Sequence, residues 1–304
     1  MQATEAFEAQ RPRLRAVAYR MLGSLAEADD AVQETWLRLH RTQESESGEP
    51  IENLGGWLTT VTARVCLNVL RSRGHRREEP YDPYSSDVDG STPHIPDPIV
   101  SPDTGLDPEH EALLADSVGL ALLVVLDTLT PAERVAFVLH DLFAVSFDEI
   151  APLLDRTPAT TRQLASRARR RVQGQDPMPD PDLARQRAVV DAFFAASREG
   201  DLDGLIAVLD PDVVLRSDGG TSRPRLNIVL RGPQAVSQQA YASGRLSAYM
   251  HRALINGTPG AVVIANGKPM FVMAFTVRGG RIVAMDILAD VDRLEALDLS
   301  AVAG

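Results

Sequence analysis

The chain has 304 residues, 44% of them hydrophobic and 24% charged, and its 42 acidic and 31 basic side chains give a formal net charge of −11. This composition excludes a fibrous or wholly disordered protein, and the length predicts two or three domains. The single cysteine, Cys66, excludes an intrachain disulfide and a cysteine-based zinc site. We expect it to be a small apolar helix residue.

The longest apolar run near the middle, Val118 to Leu126, is too short to span a membrane. The N-terminus lacks the features of a signal peptide. We therefore expect a cytoplasmic protein.

The first 80 residues predict three helices. Apolar residues follow a 3.6-residue period from Thr4 to Leu22. The segment Ser24 to Glu27 has the pattern of a capping box, which predicts the start of a second helix. A third helix is predicted from Leu54 to about Arg73.

Residues 80–108 contain seven prolines and many Asp and Ser residues, which predicts an extended, mobile linker. Three helix starts follow it. The segments Thr130–Glu133 and Ser146–Glu149 have the capping-box pattern, and Thr157 precedes a proline at the first helical position. Two short helices joined by a turn, the second rich in arginine, predict a helix-turn-helix.

The C-terminal part predicts a different fold class. A helix from Leu183 to Ser197 and the segment Leu202–Leu209 precede several short runs rich in β-branched residues. These runs are Val213–Leu215, Asn227–Leu230, Ala261–Ala265, Met270–Val277 and Arg281–Ile287. Hairpin turns are predicted at Gly267-Lys268 and Gly279-Gly280. We therefore expect an α+β domain with a curved antiparallel sheet.

The negative charge is unevenly distributed along the chain. Residues 81–115 hold eight acidic and no basic side chains, whereas the stretches 64–77 and 156–171 hold five and six arginines and no carboxylate. Such clusters favour contact with nucleic-acid phosphates, although cations also stabilise the C-terminus of a helix. Both explanations remain open from the residues alone.

One polar helix face carries acidic and amide side chains beside Trp36. Its members are Asp29, Asp30, Gln33 and Glu34, which recur at spacings of three and four. Taken singly, each is equally consistent with a solvated acidic face and a core tryptophan.

The order and spacing of these motifs resemble the extracytoplasmic-function sigma factors of bacterial RNA polymerase. The family pattern D-A-E-D-x-x-Q-E-x-W matches Ala28–Trp36, and W-L-x-x-(I/V)-x-x-R-x-x-x-(D/N)-x-(L/I)-R matches Trp57–Arg71. The resemblance covers residues of about 5–77 as sigma domain two and 113–173 as sigma domain four. It implies two partners, promoter DNA and the core polymerase, the latter through its largest-subunit clamp helices and its flap.

The resemblance also implies roles for individual residues. The face Asp29, Asp30, Gln33 and Glu34 would contact the clamp helices. Residues on or after the third helix would contact the −10 element, and these are Arg64, Asn68, Arg71, Arg73, Arg76 and Arg77. Asn68 and the loop Glu52–Gly56 are candidates for holding a flipped base, although Gly55-Gly56 also suits a simple helix start. We expect Trp36 to be structural.

The helix-turn-helix would contact the −35 element. The N-terminal residues of its second helix would face base edges in the major groove, and these are Thr160, Thr161, Arg162 and Gln163. Three later arginines would hold phosphates, namely Arg167, Arg169 and Arg170.

Residues 183–304 resemble a SnoaL-like domain of the NTF2 superfamily, in which a bent sheet and helices form a cone around a pocket. The matching pieces are Gly200–Leu205, Leu209–Val214 and Gly280–Asp286. Three motifs of sigma factors with this fusion have partial matches at His94–Pro98, Asp218–Thr221 and Asp290–Leu294. The candidate regulatory residues in them are Pro96, Asp97, Pro98, Asp218, Gly219, Gly220, Asp292, Arg293 and Leu294. The resemblance implies that this domain adjusts sigma activity in cis.

The predicted organisation is multidomain, with two all-α sigma domains followed by an α+β, NTF2-like, cone-shaped domain. Its parts are sigma domain two (1–80), an acidic Pro-rich linker (81–112), sigma domain four (113–175), a second linker (176–182) and the SnoaL-like domain (183–304).

Two alternatives remain at this stage. One is a helix-turn-helix regulator with a ligand-binding domain, which has no use for the acidic face around Asp30. The other is an NTF2-like enzyme, whose candidate acid or base groups are Asp218, Tyr241, Tyr249, His251 and Asp286. We expect no catalysis, no cofactor and no metal, while the pocket could still hold a small molecule.

Overall fold

A computed structural model describes residues 2–44, 51–75, 94–104, 119–175, 178–300 and 302. The chain divides into two compact units. The first contains Met1–Pro80 and Val125–Asp176, and the second contains Tyr81–Val124 and Pro177–Gly304. Arg76 and Arg77, which we predicted to contact the −10 element, lie outside the described residues.

The first unit begins with three helices, as predicted: α1 (Gln2–Leu22), α2 (Leu25–Glu44) and α3 (Leu54–His75). Their apolar faces meet in a core that contains Phe7, Leu14, Val32, Leu39 and Leu58. Half-buried Trp36 packs against Phe7, with their ring centroids 4.9 Å apart. This contact supports a structural role for the tryptophan.

Cys66 lies in α3 and is buried. Loss of solvation on burial is the largest effect on the thiol, and it raises the pKa of Cys66 to about 12. The side chain therefore stays protonated near neutral pH and packs as an apolar group.

Among the described residues, four further helices follow in the order α4 (Leu120–Asp127), α5 (Pro131–Phe137), α6 (Phe147–Leu154) and α7 (Pro158–Gln175). The capping boxes predicted at Thr130 and Ser146 are both present. A π-helical segment, Val138–Leu142, continues α5. Asp155 ends α6 in the left-handed conformation, with φ of 54°, and only three residues separate α6 from α7. This short turn completes the predicted helix-turn-helix.

Inside the first unit, α3 packs against α5 and α6, and α1 contacts the π-helical segment Val138–Leu142. Arg134 is buried and donates to the Met21 carbonyl oxygen at 2.9 Å, while its guanidinium pairs with Asp127 at 2.7 Å. Burial lowers the pKa of Arg134, and the Asp127 carboxylate opposes that shift. Arg13 donates to the Phe143 carbonyl oxygen at 3.2 Å.

The second unit contains a seven-stranded sheet with the order β1-β4-β5-β6-β7-β2-β3. The strands are β1 (Val100–Pro102), β2 (Leu209–Asp218), β3 (Ile228–Arg231), β4 (Met250–Ile255), β5 (Thr258–Ala265), β6 (Lys268–Arg278) and β7 (Arg281–Leu288). The helices described in its C-terminal part are α8 (Leu183–Glu199), α9 (Leu202–Val208), α10 (Pro233–Ala242) and α11 (Val291–Glu295). The α+β prediction is confirmed.

The sheet is mixed, whereas we expected an antiparallel one. Strands β2 and β7 pair in parallel, with Leu215 opposite Met285, and the other pairs are antiparallel. These two strands stand far apart in sequence, so no hairpin turn fixes their relative direction.

Two of the strands were not predicted, and one of them lies in the stretch predicted as linker. Residues 94–104 do not stand apart from the C-terminal domain, because β1 pairs with β4 at its edge, Val100 opposite Ile255. Ile95 and Ile99 are buried, and the Ile99 amide donates to the Asn256 side-chain oxygen at 3.0 Å. So short a strand beside prolines carries no periodic signal, because its partner lies about 150 residues later.

Two hairpin turns of the sheet contain residues with positive φ, a conformation that glycine adopts readily. Asn266 and Gly267 have φ of 53° and 72°, so the turn between β5 and β6 lies one residue earlier than predicted. Gly279 and Gly280, with φ of 58° and 76°, form the predicted turn between β6 and β7.

The two faces of the sheet carry different side chains. Leu215 and Ser217 of β2 line a cavity together with Met285 of β7. Because side chains alternate along a strand, Arg216 and Asp286 lie on the opposite face.

The helices of the described residues were compared with the requirements of a membrane span. None of them combines the necessary length with sufficient apolar character.

Candidate functional site

The predicted polymerase-facing residues occupy one side of α2. Asp29, Asp30 and Gln33 are exposed, and Glu34 is half-buried. Asp29 pairs with Arg15 through two bonds of 2.6 and 3.0 Å, while Glu34 pairs with Arg38 at 2.8 Å. The ion pairs hold these two carboxylates in place on the helix surface.

An exposed stripe runs along α3. Arg64, Asn68 and Arg71 recur at spacings of four and three and are all exposed, so they lie on one face of the helix. Arg73 behaves differently. It is half-buried, donates to the Leu22 carbonyl oxygen at 3.1 Å and pairs with Glu27. The structure therefore brings three of the predicted −10 residues together and engages Arg73 within the unit.

The loop before α3 has a clear structural role. The Asn53 side chain accepts a hydrogen bond from the Gly56 amide at 3.0 Å and caps the helix. A Cβ atom at Gly56 would lie 2.8 Å from the Asn53 side-chain nitrogen. The glycine thus suits a helix start, which was one of the two explanations considered.

The second helix of the helix-turn-helix, α7, corrects one prediction. Thr161 was expected to face base edges, but it is fully buried and its hydroxyl donates to the Thr157 carbonyl oxygen at 3.1 Å. Thr160 is half-buried and bonded to the Thr157 hydroxyl at 3.0 Å. Position 161 turns inward beside Ala165 and Ala168 of the apolar face, which composition alone did not reveal.

Of the remaining predicted residues of α7, some are exposed to solvent and others contact neighbouring side chains. Arg162, Gln163, Arg167 and Arg170 are exposed. Arg162 also lies over the Phe147 ring, 5.3 Å from its centroid. Arg169 instead forms hydrogen bonds of 2.9 and 2.6 Å to Asp141. The four exposed residues named above therefore carry three positive charges and one amide.

In the second unit, three distant motifs converge on one guanidinium. Arg293 donates to Asp97 at 2.9 and 2.5 Å, to Asp218 at 2.8 Å and to the Ile95 carbonyl oxygen at 2.5 Å. The Ile95 amide donates to Asp218 at 3.0 Å. We call Ile95, Asp97, Asp218 and Arg293 the Arg293 cluster.

Asp218 is the buried centre of this cluster, with 3% of its surface exposed. Burial is the largest single effect and raises the pKa of its carboxyl group. The hydrogen bonds from His94 and the Ile95 amide, with the charge of Arg293, outweigh it and hold the pKa of Asp218 below its ordinary value. The folded domain therefore stabilises the ionised form of the Asp218 side chain.

The glycines beside Asp218 are required by close packing. A Cβ atom at Gly219 would lie 2.1 Å from the Arg223 carbonyl oxygen. Gly220 has φ of 56°, and a Cβ there would lie 1.6 Å from an Asp290 carboxylate oxygen. Of the other regulatory candidates, Pro96, Pro98 and Leu294 are buried and Asp292 is exposed.

The five groups considered for catalysis do not meet in the cavity, because none of them lines it. Asp286 is buried against Arg216 through bonds of 2.6 and 3.2 Å, and Asp218 belongs to the Arg293 cluster. Tyr241 and Tyr249 are 56% and 48% exposed. Over the described part of the chain, no group of three His, Cys, Asp or Glu side chains could hold a metal ion.

Each of the two helix groups of the first unit matches a known family model. Residues 6–76 match the family model for sigma-70 region 2, and residues 119–172 match the model for sigma-70 region 4. The ECF RNA polymerase sigma factor SigJ of Mycobacterium tuberculosis is 37% identical over 302 residues, which cover 94% of this chain and 91% of SigJ. The chain belongs to the ECF sigma factors.

The relationship of this ECF sigma factor to its relatives extends through the C-terminal domain. The probable ECF sigma factor SigI of M. tuberculosis is 34% identical, with 96% of this chain and 94% of SigI covered. The crystal structure of M. tuberculosis SigJ superposes with a TM-score of 0.74 at 33% identity, covering 97% of this chain and 99% of SigJ. Both relatives thus match the helical regions and the mixed-sheet domain together.

This ECF sigma factor has both sigma regions, so the alternative of an ordinary helix-turn-helix regulator is wrong.

Some contacts of the C-terminal unit were not predicted from the sequence. Arg187 of α8 donates to the Asp103 carboxylate at 3.0 Å and to its backbone oxygen at 2.7 Å. The run of acidic residues in 81–115 was the available signal, but it did not specify a partner.

Proposed function

We propose that this sigma factor binds core RNA polymerase and directs it to promoters with its two exposed arginine faces. The observation that carries this proposal is that each sigma region presents one such face, on α3 in region 2 and on α7 in region 4. Arginines on exposed helix faces suit the phosphates of duplex DNA. The names of the relatives, RNA polymerase sigma factors, support the same function.

The acidic side of α2 is our candidate for polymerase binding. Asp30 and Gln33 are exposed, and Asp29 and Glu34 are held next to them by ion pairs. We assign this side to the clamp helices of the largest subunit and region 4 to the flap. Exposed charges contribute mainly to the rate and specificity of association.

Recognition of the two promoter elements divides between α3 and α7. Arg64 and Arg71 would hold phosphates near the −10 element, with Asn68 between them as the group able to bind a base edge. In α7, Gln163 would bind a base edge of the −35 element, and Arg167 and Arg170 would hold phosphates. Structural roles are proposed for three other residues, because each bonds to another group of the first unit: Arg73, Arg169 and Thr161.

Promoter binding would require the two helix groups of the first unit to separate. Elements about 25 base pairs apart stand roughly 85 Å apart along a duplex, whereas a compact unit of this size measures roughly 35–40 Å. The Arg134 bond to Met21 and the Arg13 bond to Phe143 would then break. We infer that free and promoter-bound forms differ at these contacts.

The C-terminal domain would act in cis through the connection between regions 2 and 4. That connection includes residues 94–104, which the Arg293 cluster, β1 and Arg187 attach to the C-terminal domain. Attachment shortens the chain available for the two regions to move apart. The domain would thereby bias the relative placement of the two DNA-binding regions.

Run-off transcription with purified bacterial core polymerase tests the proposal. A promoter library that includes the gene's own upstream region is transcribed with the full chain and with Asp30→Ala, and Glu44→Ala on the same helix is the control. We expect a core-dependent transcript that falls severalfold for Asp30→Ala only. Duplex binding without polymerase, and no transcript, would contradict the proposal.

A second arm of this experiment tests regulation in cis. Arg293→Ala releases the cluster, and Arg198→Ala removes an exposed arginine from α8 as a control. We expect the transcript yield to change for Arg293→Ala and to stay constant for Arg198→Ala. Equal yields from all three proteins would contradict a regulatory role for the cluster.

A further inference from the structure

A cavity of about 300 Å³ lies in the second unit between one face of the sheet and the helices α8 and α10. Most of its wall is aromatic, aliphatic or thioether surface. The aromatic part is Phe193, Phe194 and Phe271, and Met250, Met273 and Met285 supply thioether groups. The cavity has the size and character of a small-molecule site.

Among the described residues, eighteen side chains line the cavity, and none of these is titratable. The ion pair Arg216–Asp286 lies on the opposite face of the sheet, and Arg223 stands behind the wall, over the Phe271 ring, where it donates to the Met270 and Ala289 carbonyl oxygens. A charged ligand would lose its hydration here without gaining a counter-ion. The cavity therefore selects against ions.

A few polar groups interrupt the apolar wall. Ser197 donates its hydrogen bond to the Ala240 carbonyl oxygen, and the Gln239 side-chain nitrogen donates to the Ser243 hydroxyl at 3.2 Å. The Ser217 side chain also lines the cavity, and among the described residues its hydroxyl has no hydrogen-bond partner. A hydroxyl that opens into an otherwise apolar cavity can bond to a donor or an acceptor of a ligand.

We propose that this cavity binds a neutral, largely apolar small molecule that carries one hydrogen-bonding group directed at Ser217. A dry protein cavity of 150 Å³ takes up benzene, so about twice that volume accommodates a molecule of two or three rings. The proposal is independent of the promoter contacts proposed above, because it rests only on the cavity wall.

A matched pair of fluorescent probes tests the proposal on the full chain. N-phenyl-1-naphthylamine is neutral, and 8-anilinonaphthalene-1-sulfonate has the same ring system with one added sulfonate. We expect saturable binding of one equivalent of the neutral probe, at least tenfold tighter than binding of the sulfonate.

Location is tested by filling the cavity. Met273→Trp places an indole inside it, and Ser247→Trp does so from the 3-10 segment Gly244–Tyr249, where strain on the sheet is smaller. Met178→Trp at an exposed methionine is the matched control. We expect at least tenfold weaker binding of the neutral probe for either cavity variant that retains the far-UV circular dichroism of the parent, and unchanged binding for Met178→Trp.

Three outcomes would overturn the proposal. The first is no saturable binding of the neutral probe, and the second is equal binding of the sulfonate. The third is full binding to a folded Ser247→Trp or Met273→Trp protein. Since transcription is not measured, none of these outcomes bears on the proposed sigma function.

Discussion

Arg293 and Asp97 stand 196 residues apart in the chain and are joined by two hydrogen bonds of 2.9 and 2.5 Å. The same guanidinium also bonds to Asp218, so one side chain of α11 attaches the segment 94–104 to the end of β2. The guanidinium is a single donor group with a planar, forked geometry. Its loss would remove the bonds to Asp97, Asp218 and the Ile95 carbonyl oxygen together, while the Ile95 amide would still donate to Asp218.

We predict that Arg293→Ala loosens the segment 94–104 without unfolding the sheet. Removing the guanidinium leaves buried Asp218 with fewer partners, which costs about 1–3 kcal/mol. Hydrogen exchange of the Ile95 and Ile99 amides, which both donate to side chains, should become roughly 5- to 140-fold faster. Arg198→Ala is the control, and unchanged exchange in Arg293→Ala would contradict the role given to the guanidinium.

The stability of the second unit should depend on pH through Asp218. Its pKa lies below the ordinary value in the folded state, so the ionised carboxylate favours folding above about pH 4. This contribution is lost as the pH falls through the lower, folded-state pKa. We predict that the urea midpoint of wild type exceeds that of Asp218→Asn by a constant amount at pH 5–7, and that the difference shrinks below about pH 4.

The control for this pH profile is Asp212→Asn, at an exposed carboxylate of the same strand. It should leave the urea midpoint close to that of wild type at every pH. A difference between wild type and Asp218→Asn that grows on acidification would show that the sign assigned to the pKa shift is wrong.

The helices of both sigma regions could be predicted because their signals are local. The capping boxes at Thr130 and Ser146 involve groups three residues apart, and the structure contains both. Strands β1 and β4 were missed because a strand is defined by its partner. Val100 pairs with Ile255, and no window of neighbouring residues contains that information.

The candidate site was predicted in composition but not in detail. Arg71 and Arg73 are two residues apart and chemically identical, yet one is exposed and the other is bonded to Leu22 and Glu27. Which arginine faces solvent depends on how α3 packs against the preceding helices. Likewise, Thr160 to Gln163 were expected to share one surface, but a helix turns by about 100° per residue and places Thr161 inside.

The contrast between Arg71 and Arg73 gives a matched test. Arg71→Ala should weaken promoter binding by the holoenzyme and reduce the slope of log K against log salt by about 0.9, the value for one phosphate contact. Arg73→Ala should instead lower the free energy of unfolding by about 1 kcal/mol, because it loses a carbonyl bond and a partly exposed ion pair. Salt titrations and urea melts of both variants distinguish these effects. If Arg73→Ala changes the salt slope as much as Arg71→Ala, the division between them is wrong.

Gln163 and Thr161 provide the corresponding test in α7. Gln163 is exposed and its amide can bond to an adenine edge, a contact worth about 1–3 kcal/mol of discrimination. We predict that Gln163→Ala relaxes the preference at one position of the −35 element, as measured by competitive run-off transcription from a promoter library. Thr161→Val keeps the side-chain shape and removes only the hydroxyl that bonds to Thr157, so the sequence preference should stay the same. A changed preference in Thr161→Val would mean that the buried face of α7 turns outward on DNA.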